Sequence, residues 1–105
     1  MDAKETFCTR LKAERKAKNL TQEKLGTLIG LDEGVANTRI SRYEKGIHTV
    51  EPNTGKRIAH ALDIPLAYLY ADSDEMAELL KLYYQMKPAR QAQLLALARQ
   101  LSVEE

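Results

Sequence analysis

The chain has 105 residues, enough for one small hydrophobic core that can fold alone. Its 44% apolar and 30% charged residues suit a water-exposed globular fold. No apolar run approaches the roughly 18 to 20 residues that a membrane span requires, which excludes a helical membrane protein. The opening stretch Met1-Asp2-Ala3-Lys4-Glu5 lacks the basic end and apolar segment of a secretory signal, so a cytoplasmic location is expected. Cys8 is the only cysteine, which excludes an internal disulfide framework, and with His48 and His60 far apart no metal-ligand spacing is present. Cys8 is expected as a small core residue of the first helix rather than a reactive thiol.

The net charge of +1 hides an asymmetry. Residues 1–62 carry 12 Lys/Arg against 8 Asp/Glu, whereas residues 63–105 carry 4 against 7. A basic first half followed by an acidic second half is what a surface facing a polyanion at one end of the molecule would produce.

The first helix is expected from near Asp2 to Lys18. Phe7, Leu11 and Arg15 follow at steps of four and share a face that the two apolar residues mark as buried, so Arg15 is aimed inward. Asn19-Leu20 closes this helix. Thr21 is a good N-cap for a second helix, with Gln22 in its first turn, where a phosphate can meet free backbone N–H groups, and Leu25, Leu28 and Ile29 as its apolar stripe.

Between Gly30 and Ala36 the pattern is open. Either Asp32 caps an early third helix, or Leu31 to Val35 form an extended turn packed on the core. With Ile40 as the inward anchor of the third helix, Ala36, Tyr43 and Glu44 fall on the inner side. Thr38, Ser41, Arg42 and Lys45 then point outward, with Asn37 and Arg39 on the flanks. A short helix, a turn carrying Gly30 and a second short helix ended by Gly46 form a helix-turn-helix, whose second helix enters a DNA major groove. Asn can pair with adenine and Arg with guanine at the base edges, so this outward row is the candidate reading surface.

Gly46 is expected as a left-handed C-cap, and His48 as a surface residue near phosphate. Pro52 starts a fourth helix carrying Ile58, Ala59, Ala61 and Leu62. Gly55 within it implies fraying or close approach by another backbone, and Lys56 and Arg57 could reach phosphate. After Asp63-Ile64-Pro65 a fifth short helix, Leu66 to Tyr70, closes the core, with Tyr68 and Tyr70 packing there rather than stacking on bases.

Beyond Ala71 the character changes. Asp72 with Glu75 resembles a capping box for a sixth helix carrying Met76, Leu79, Leu80, Tyr83 and Met86. Lys87-Pro88 interrupts it, and a last helix carries Leu94, Leu95, Leu97, Ala98 and Leu101. An apolar stripe appended to a finished five-helix unit points to association, and Leu79, Tyr83, Leu94, Leu97 and Leu101 are the candidate dimerisation residues. Packing back onto the same chain is the other arrangement the pattern allows. The expected architecture is all-α: a DNA-binding unit over residues 1–71 and a pair of amphipathic helices over residues 72–105.

Residues 4–70 resemble the Cro/C1-type helix-turn-helix family, the lambda-repressor-like or XRE regulators. The resemblance rests on three pieces in order: Leu20-Thr21-Gln22-Glu23-Lys24-Leu25, Ile40-Ser41-Arg42-Tyr43-Glu44-Lys45-Gly46, and Arg57-Ile58-Ala59-His60-Ala61-Leu62-Asp63-Ile64-Pro65. It implies a five-helix domain, a two-fold dimer and a palindromic operator in double-stranded DNA. Carried over by position, Gln22 and Lys45 would contact the DNA backbone, Asn37, Thr38 and Arg42 would face bases, and Arg39 would lie at a base edge or phosphate. The resemblance also implies an ion pair of Arg15 with Glu44. The turn before the third helix is about four residues longer than the family pattern, so the first base-contacting position is Asn37, Glu33 or Ala36. Gly55 stands where an apolar residue is usual.

The function expected is therefore a transcriptional regulator, a repressor acting as a homodimer. The competing reading is an antitoxin or other protein-interaction module working through the last two helices. No Gly-rich phosphate loop, nucleophile-base pair or metal spacing suggests an enzyme, a cofactor or a small-molecule ligand.

Overall fold

The computed structural model describes residues 2–103; the outer ends of the two expected units, residue 1 and residues 104–105, lie outside it. Among the described residues there are seven helices and no strand: α1 Ala3–Ala17, α2 Gln22–Leu28, α3 Glu33–Lys45, α4 Pro52–Ala61, α5 Leu66–Tyr70, α6 Asp74–Gln85 and α7 Pro88–Val103.

The helix starts follow local chemistry. Asp2 and Glu5 form a reciprocal capping box on α1, Thr21 accepts from the Lys24 amide on α2, and Glu51 accepts from the Asn53 and Thr54 amides ahead of Pro52 on α4. Asp32 occupies the N-cap of α3 without a side-chain hydrogen bond, so the early-start alternative is the one adopted. The helix ends repeat a single device. Asn19, Gly30, Gly46 and Asp63 all take positive φ, at 58°, 95°, 72° and 56°, just after α1, α2, α3 and α4. The amide that follows each of them reaches back five residues: Leu20 to Arg15, Leu31 to Gly26, Ile47 to Arg42 and Ile64 to Ala59, at 3.0–3.1 Å. This left-handed closure satisfies carbonyls that the helix leaves free, and asparagine and aspartate tolerate it better than other non-glycine residues. In three of the four cases it also turns an apolar side chain, Leu20, Leu31 or Ile64, onto the core.

That core is built by the first five helices from Phe7, Leu11, Leu25, Ile29, Ile40, Tyr43, Ile58, Ala59, Leu62, Ile64 and Leu69. Helices α2 and α3 meet almost backbone to backbone. A Cβ on Gly26 would stand 2.5 Å from the Ala36 Cβ and 2.8 Å from its Cα, so no side chain fits between them.

Five expectations are corrected. Leu28 is half exposed, because Leu25, Gly26 and Ile29 take the inner side of α2 and Leu28 lies about a quarter turn away from it, and Val35 also faces outward in the first turn of α3. Gly55 is buried, but what approaches it is the Leu66 side chain, whose Cδ1 would lie 3.3 Å from a Cβ there, and not another backbone. The cap of α6 is Ser73, accepting from the Met76 amide, rather than Asp72; the chain runs one residue further before the helix begins. Tyr70 keeps its ring against Phe7, centroids 5.0 Å apart, yet remains 41% exposed at the edge of the core.

The last two helices stand apart in burial. In α6 only Ala77 is buried, and in α7 no residue is. Leu79, Leu80 and Tyr83 of α6 face Leu94, Leu95 and Ala98 of α7 across an apolar groove. The molecule is accordingly long, with extents of 54 × 29 × 22 Å.

Candidate nucleic-acid interface

The inner side of α3 is fixed at both ends. Near its start, Ala36 is sealed against Gly26, which removes Ala36 from the possible base-contacting positions and leaves Glu33 and Asn37 exposed there. Near its end, Arg15 Nε donates to Glu44 Oε2 at 2.6 Å and Nη2 donates to Oε1 at 3.2 Å, with side chains only 10% and 3% exposed. The third guanidinium nitrogen, Nη1, donates to the Leu20 carbonyl at 2.8 Å. A bidentate guanidinium-carboxylate pair of this kind holds its two helices in one orientation as well as one separation.

Gln22 joins the same network: its Nε2 donates to Glu44 Oε1 at 3.1 Å. The residue expected at phosphate is thus half-buried at the start of α2, with its amide oriented by the carboxylate that anchors α3.

With Ile40 and Tyr43 inward, the outer side of α3 presents Asn37, Thr38, Arg39, Arg42 and Lys45, all exposed, while Ser41 is half-buried on the flank. Arg42 Nη1 lies 3.2 Å from His48 Nε2, which ties the loop after Gly46 to the outer side of α3. Among the described residues, none of Arg39, Arg42, Lys45, Lys56 and Arg57 is in an ion pair, so their charge is available to an external anion. Lys56, Arg57 and His60 of α4 line a depression with Leu28 and Gly30, beside the turn between α2 and α3.

Cys8 lies behind this surface. Its Sγ donates to the Tyr43 carbonyl at 3.2 Å, and burial pushes its pKa above the usual thiol value, so it stays protonated and holds the last turn of α3. Among the described residues no cluster of three His, Cys, Asp or Glu side chains could hold a metal ion, and no helix is long and apolar enough to cross a membrane.

One polar cluster was missed from the sequence: Arg10, Glu14, Tyr68 and Lys81, which join α1 and α5 to α6. The available signal was a second stripe at steps of four, Thr6, Arg10 and Glu14, running beside Phe7, Leu11 and Arg15. Thr6 and Glu14 are indeed buried and Arg10 is half-buried.

The second helix of a helix-turn-helix, locked on its inner side and carrying hydrogen-bonding groups and unpaired cations on its exposed outer side, defines a DNA-binding helix-turn-helix protein. The helix-turn-helix family profile matches residues 11–69, and the chain belongs to that family, in its Cro/C1 type. Among solved structures it is similar to the one described as "Crystal structure of transcriptional regulator BswR". The two share 35% identity over 93% of this chain and 98% of that chain, with a TM-score of 0.84. Coverage of that extent takes in most of α6 and α7, so the likeness is not confined to the DNA-binding unit. A comparison with curated proteins gives no match.

Proposed function

We propose that the protein is a sequence-specific transcriptional regulator, a repressor that binds a pseudo-palindromic operator as a homodimer. The observation that carries this reading is the outer row of α3, exposed and free of ion pairs, on a helix clamped at Ala36 and Glu44. In this reading Asn37, Thr38, Arg39, Ser41 and Arg42 read base edges, while Gln22, Lys45 and His48 contact phosphate and set the register. Residues 1–71 form the DNA-binding unit and residues 72–105 the dimerisation extension.

The homodimer is supported by α7, a 16-residue helix without a buried residue, and by the apolar groove it shares with α6. A helix of this length gains its stability in water mainly by packing an apolar face, so these surfaces call for cover. A second copy of the chain supplies that cover with the same residues, and the two-fold axis it creates sets two recognition helices about 34 Å apart, one turn of DNA. The likeness to a transcriptional regulator over nearly the whole length supports the same assignment.

Selection from random duplex DNA at fixed, physiological salt tests the reading, repeated with Thr38→Ala and Arg42→Ala. A pseudo-palindromic consensus that relaxes at defined positions in the variants is expected, since each lost base contact costs about 1 to 3 kcal/mol of discrimination. No enrichment would overturn DNA reading and leave the groove of α6 and α7, as in an antitoxin that holds a different protein, as the working surface.

A further inference from the structure

The attachment of α6 to the DNA-binding unit is made by charge rather than by apolar burial. Arg10 and Glu14, one turn apart on α1, form two sockets. At the first, the Arg10 guanidinium gathers the connection between α5 and α6, donating to the carbonyls of Tyr68, Ala71 and Ser73 and reaching Asp74 Oδ1 at 3.4 Å. At the second, Glu14 is 5% exposed, and its Oε1 accepts from Tyr68 Oη at 2.9 Å and from Lys81 Nζ at 2.6 Å. Its other oxygen, Oε2, is buried without a hydrogen-bond partner, so the Lys81 cation is the chief compensation for this carboxylate. The Tyr68 ring lies between the two cations, with Arg10 Cζ at 5.7 Å and Lys81 Nζ at 5.0 Å from its centroid.

Asp74, Ala77 and Lys81 lie on one side of α6, and Ala77 between the anchors is small enough to let the helix sit close. Asp74 and Lys81 are seven residues, about 10 Å, apart along the axis. The Asp74 side chain is fully exposed, so the start of α6 is held mainly by the Arg10 bonds to the Ala71 and Ser73 carbonyls and its middle by Lys81 on Glu14. Two such points fix the direction of a rigid rod. Leu79 and Tyr83 occupy the opposite side, where the groove lies.

We infer that Glu14 and Lys81 are positioning residues for operator recognition: they set the angle between the dimerising helices and the DNA-binding unit, and with it the half-site spacing that the homodimer accepts. The inference rests on the homodimer proposed above. Its leverage is large. A rotation of about 10° at the joint, acting over roughly half of the 54 Å length, moves the recognition helix by about 5 Å, more than the 3.4 Å rise of one base pair.

The test uses the full-length chain, with Glu14→Gln and Lys81→Met combined so that no bare charge is left buried; the amide carbonyl introduced by Glu14→Gln can still accept from Tyr68. Nitroxide labels on Thr38→Cys, in a Cys8→Ser background, report the distance between the two recognition helices without DNA. The expected result is one narrow distance distribution in the parent and a broad one in the double variant, with the dimer intact by sedimentation and Lys81→Arg narrow. On duplexes carrying the selected half-site once, the two proteins should bind within about twofold. On inverted repeats stepped by single base pairs, the parent should favour one spacing by at least tenfold and the double variant should lose that preference, because avidity depends on both sites being reachable together. A dimeric double variant that keeps the narrow distribution and the sharp spacing preference would overturn the joint alone. A monomeric parent would overturn the homodimer and the joint with it.

Discussion

The two ends of this molecule solve the problem of burial differently. From Phe7 to Ala71 the chain closes its own core: seven large side chains there, from Leu11 to Leu69, are essentially inaccessible to water. From Ser73 onward it buries, among the described residues, a single alanine, and Leu79, Leu82, Leu95, Leu97 and Leu101 stay 44–53% exposed. Both stretches carry apolar residues at helical spacing, gathered on one side in α6 and spread around the axis in α7. The difference lies in geometry, since five short helices meeting at several angles enclose a volume whereas two helices side by side cover only one face each. A stripe in sequence therefore announces that something will be covered, while the number and crossing of neighbours decides whether the chain covers it itself.

The comparison is broken most severely by removing Glu44. Glu44→Ala leaves the Arg15 guanidinium nearly buried without its carboxylate, and urea unfolding should lose about 3 to 5 kcal/mol. An unchanged transition would mean that Arg15 reaches water and that the clamp contributes nothing. Next in size, Leu79→Glu should leave the unfolding of the first five helices within about 0.5 kcal/mol, because residue 79 touches none of their core. On the proposed homodimer, sedimentation equilibrium should nonetheless give a dimeric parent and a monomeric variant, and binding to the inverted repeat should fall by about 10²-fold or more while a single half-site is bound as before. If the first five helices melted with the tail, the two ends would be one cooperative unit after all.

The smallest effect sharpens the boundary between the ends. Burial first, and then the hydrogen bond to Glu14, raise the Tyr68 phenol from 10.0 to about 12. Folding therefore favours its protonated form. That contribution is complete below pH 10 and is lost as the pH rises through about 12, with Arg10 and Lys81 facing the ring and Glu14 and Asp74 beside it. Ultraviolet titration of the phenolate should show one component near pH 12 that disappears in Tyr68→Phe. Loss of a component near pH 10 in Tyr68→Phe, with nothing lost near 12, would mean that the phenol is not held by Glu14.

Most of the fold was legible because its punctuation is local. Thr21, Gly46 and Pro52 act within a turn of themselves, so their roles need no knowledge of the rest of the chain. The orientation of α3 was equally accessible, since Ile40 fixes the phase of the helix and the outward row follows from it. The misses were non-local. Leu28 reads as buried until the packing of α3 on Gly26 sets which side of α2 faces inward, and Gly55 as a backbone contact until Leu66 is placed beside it. Glu14 finds Lys81 only after 67 residues have folded back, and nothing in the spacing of either residue signals the other. For the same reason the sequence assigned Gln22 to phosphate without suggesting that Glu44 also orients it.

The contact between Gly26 and Ala36 has a bearing on how such a protein changes its target. Because α2 and α3 touch through backbone and a methyl group, the angle between them contains no long side chain that could readjust when a neighbour is replaced. The outward residues Asn37, Thr38, Arg39 and Arg42 take no part in that contact, and exchanging exposed residues of this kind costs little stability, about 0.5 kcal/mol or less. If these residues read the operator as proposed, recognition and scaffold are separable in heredity as well as in design: new target sequences can be explored one letter at a time on a frame that does not move.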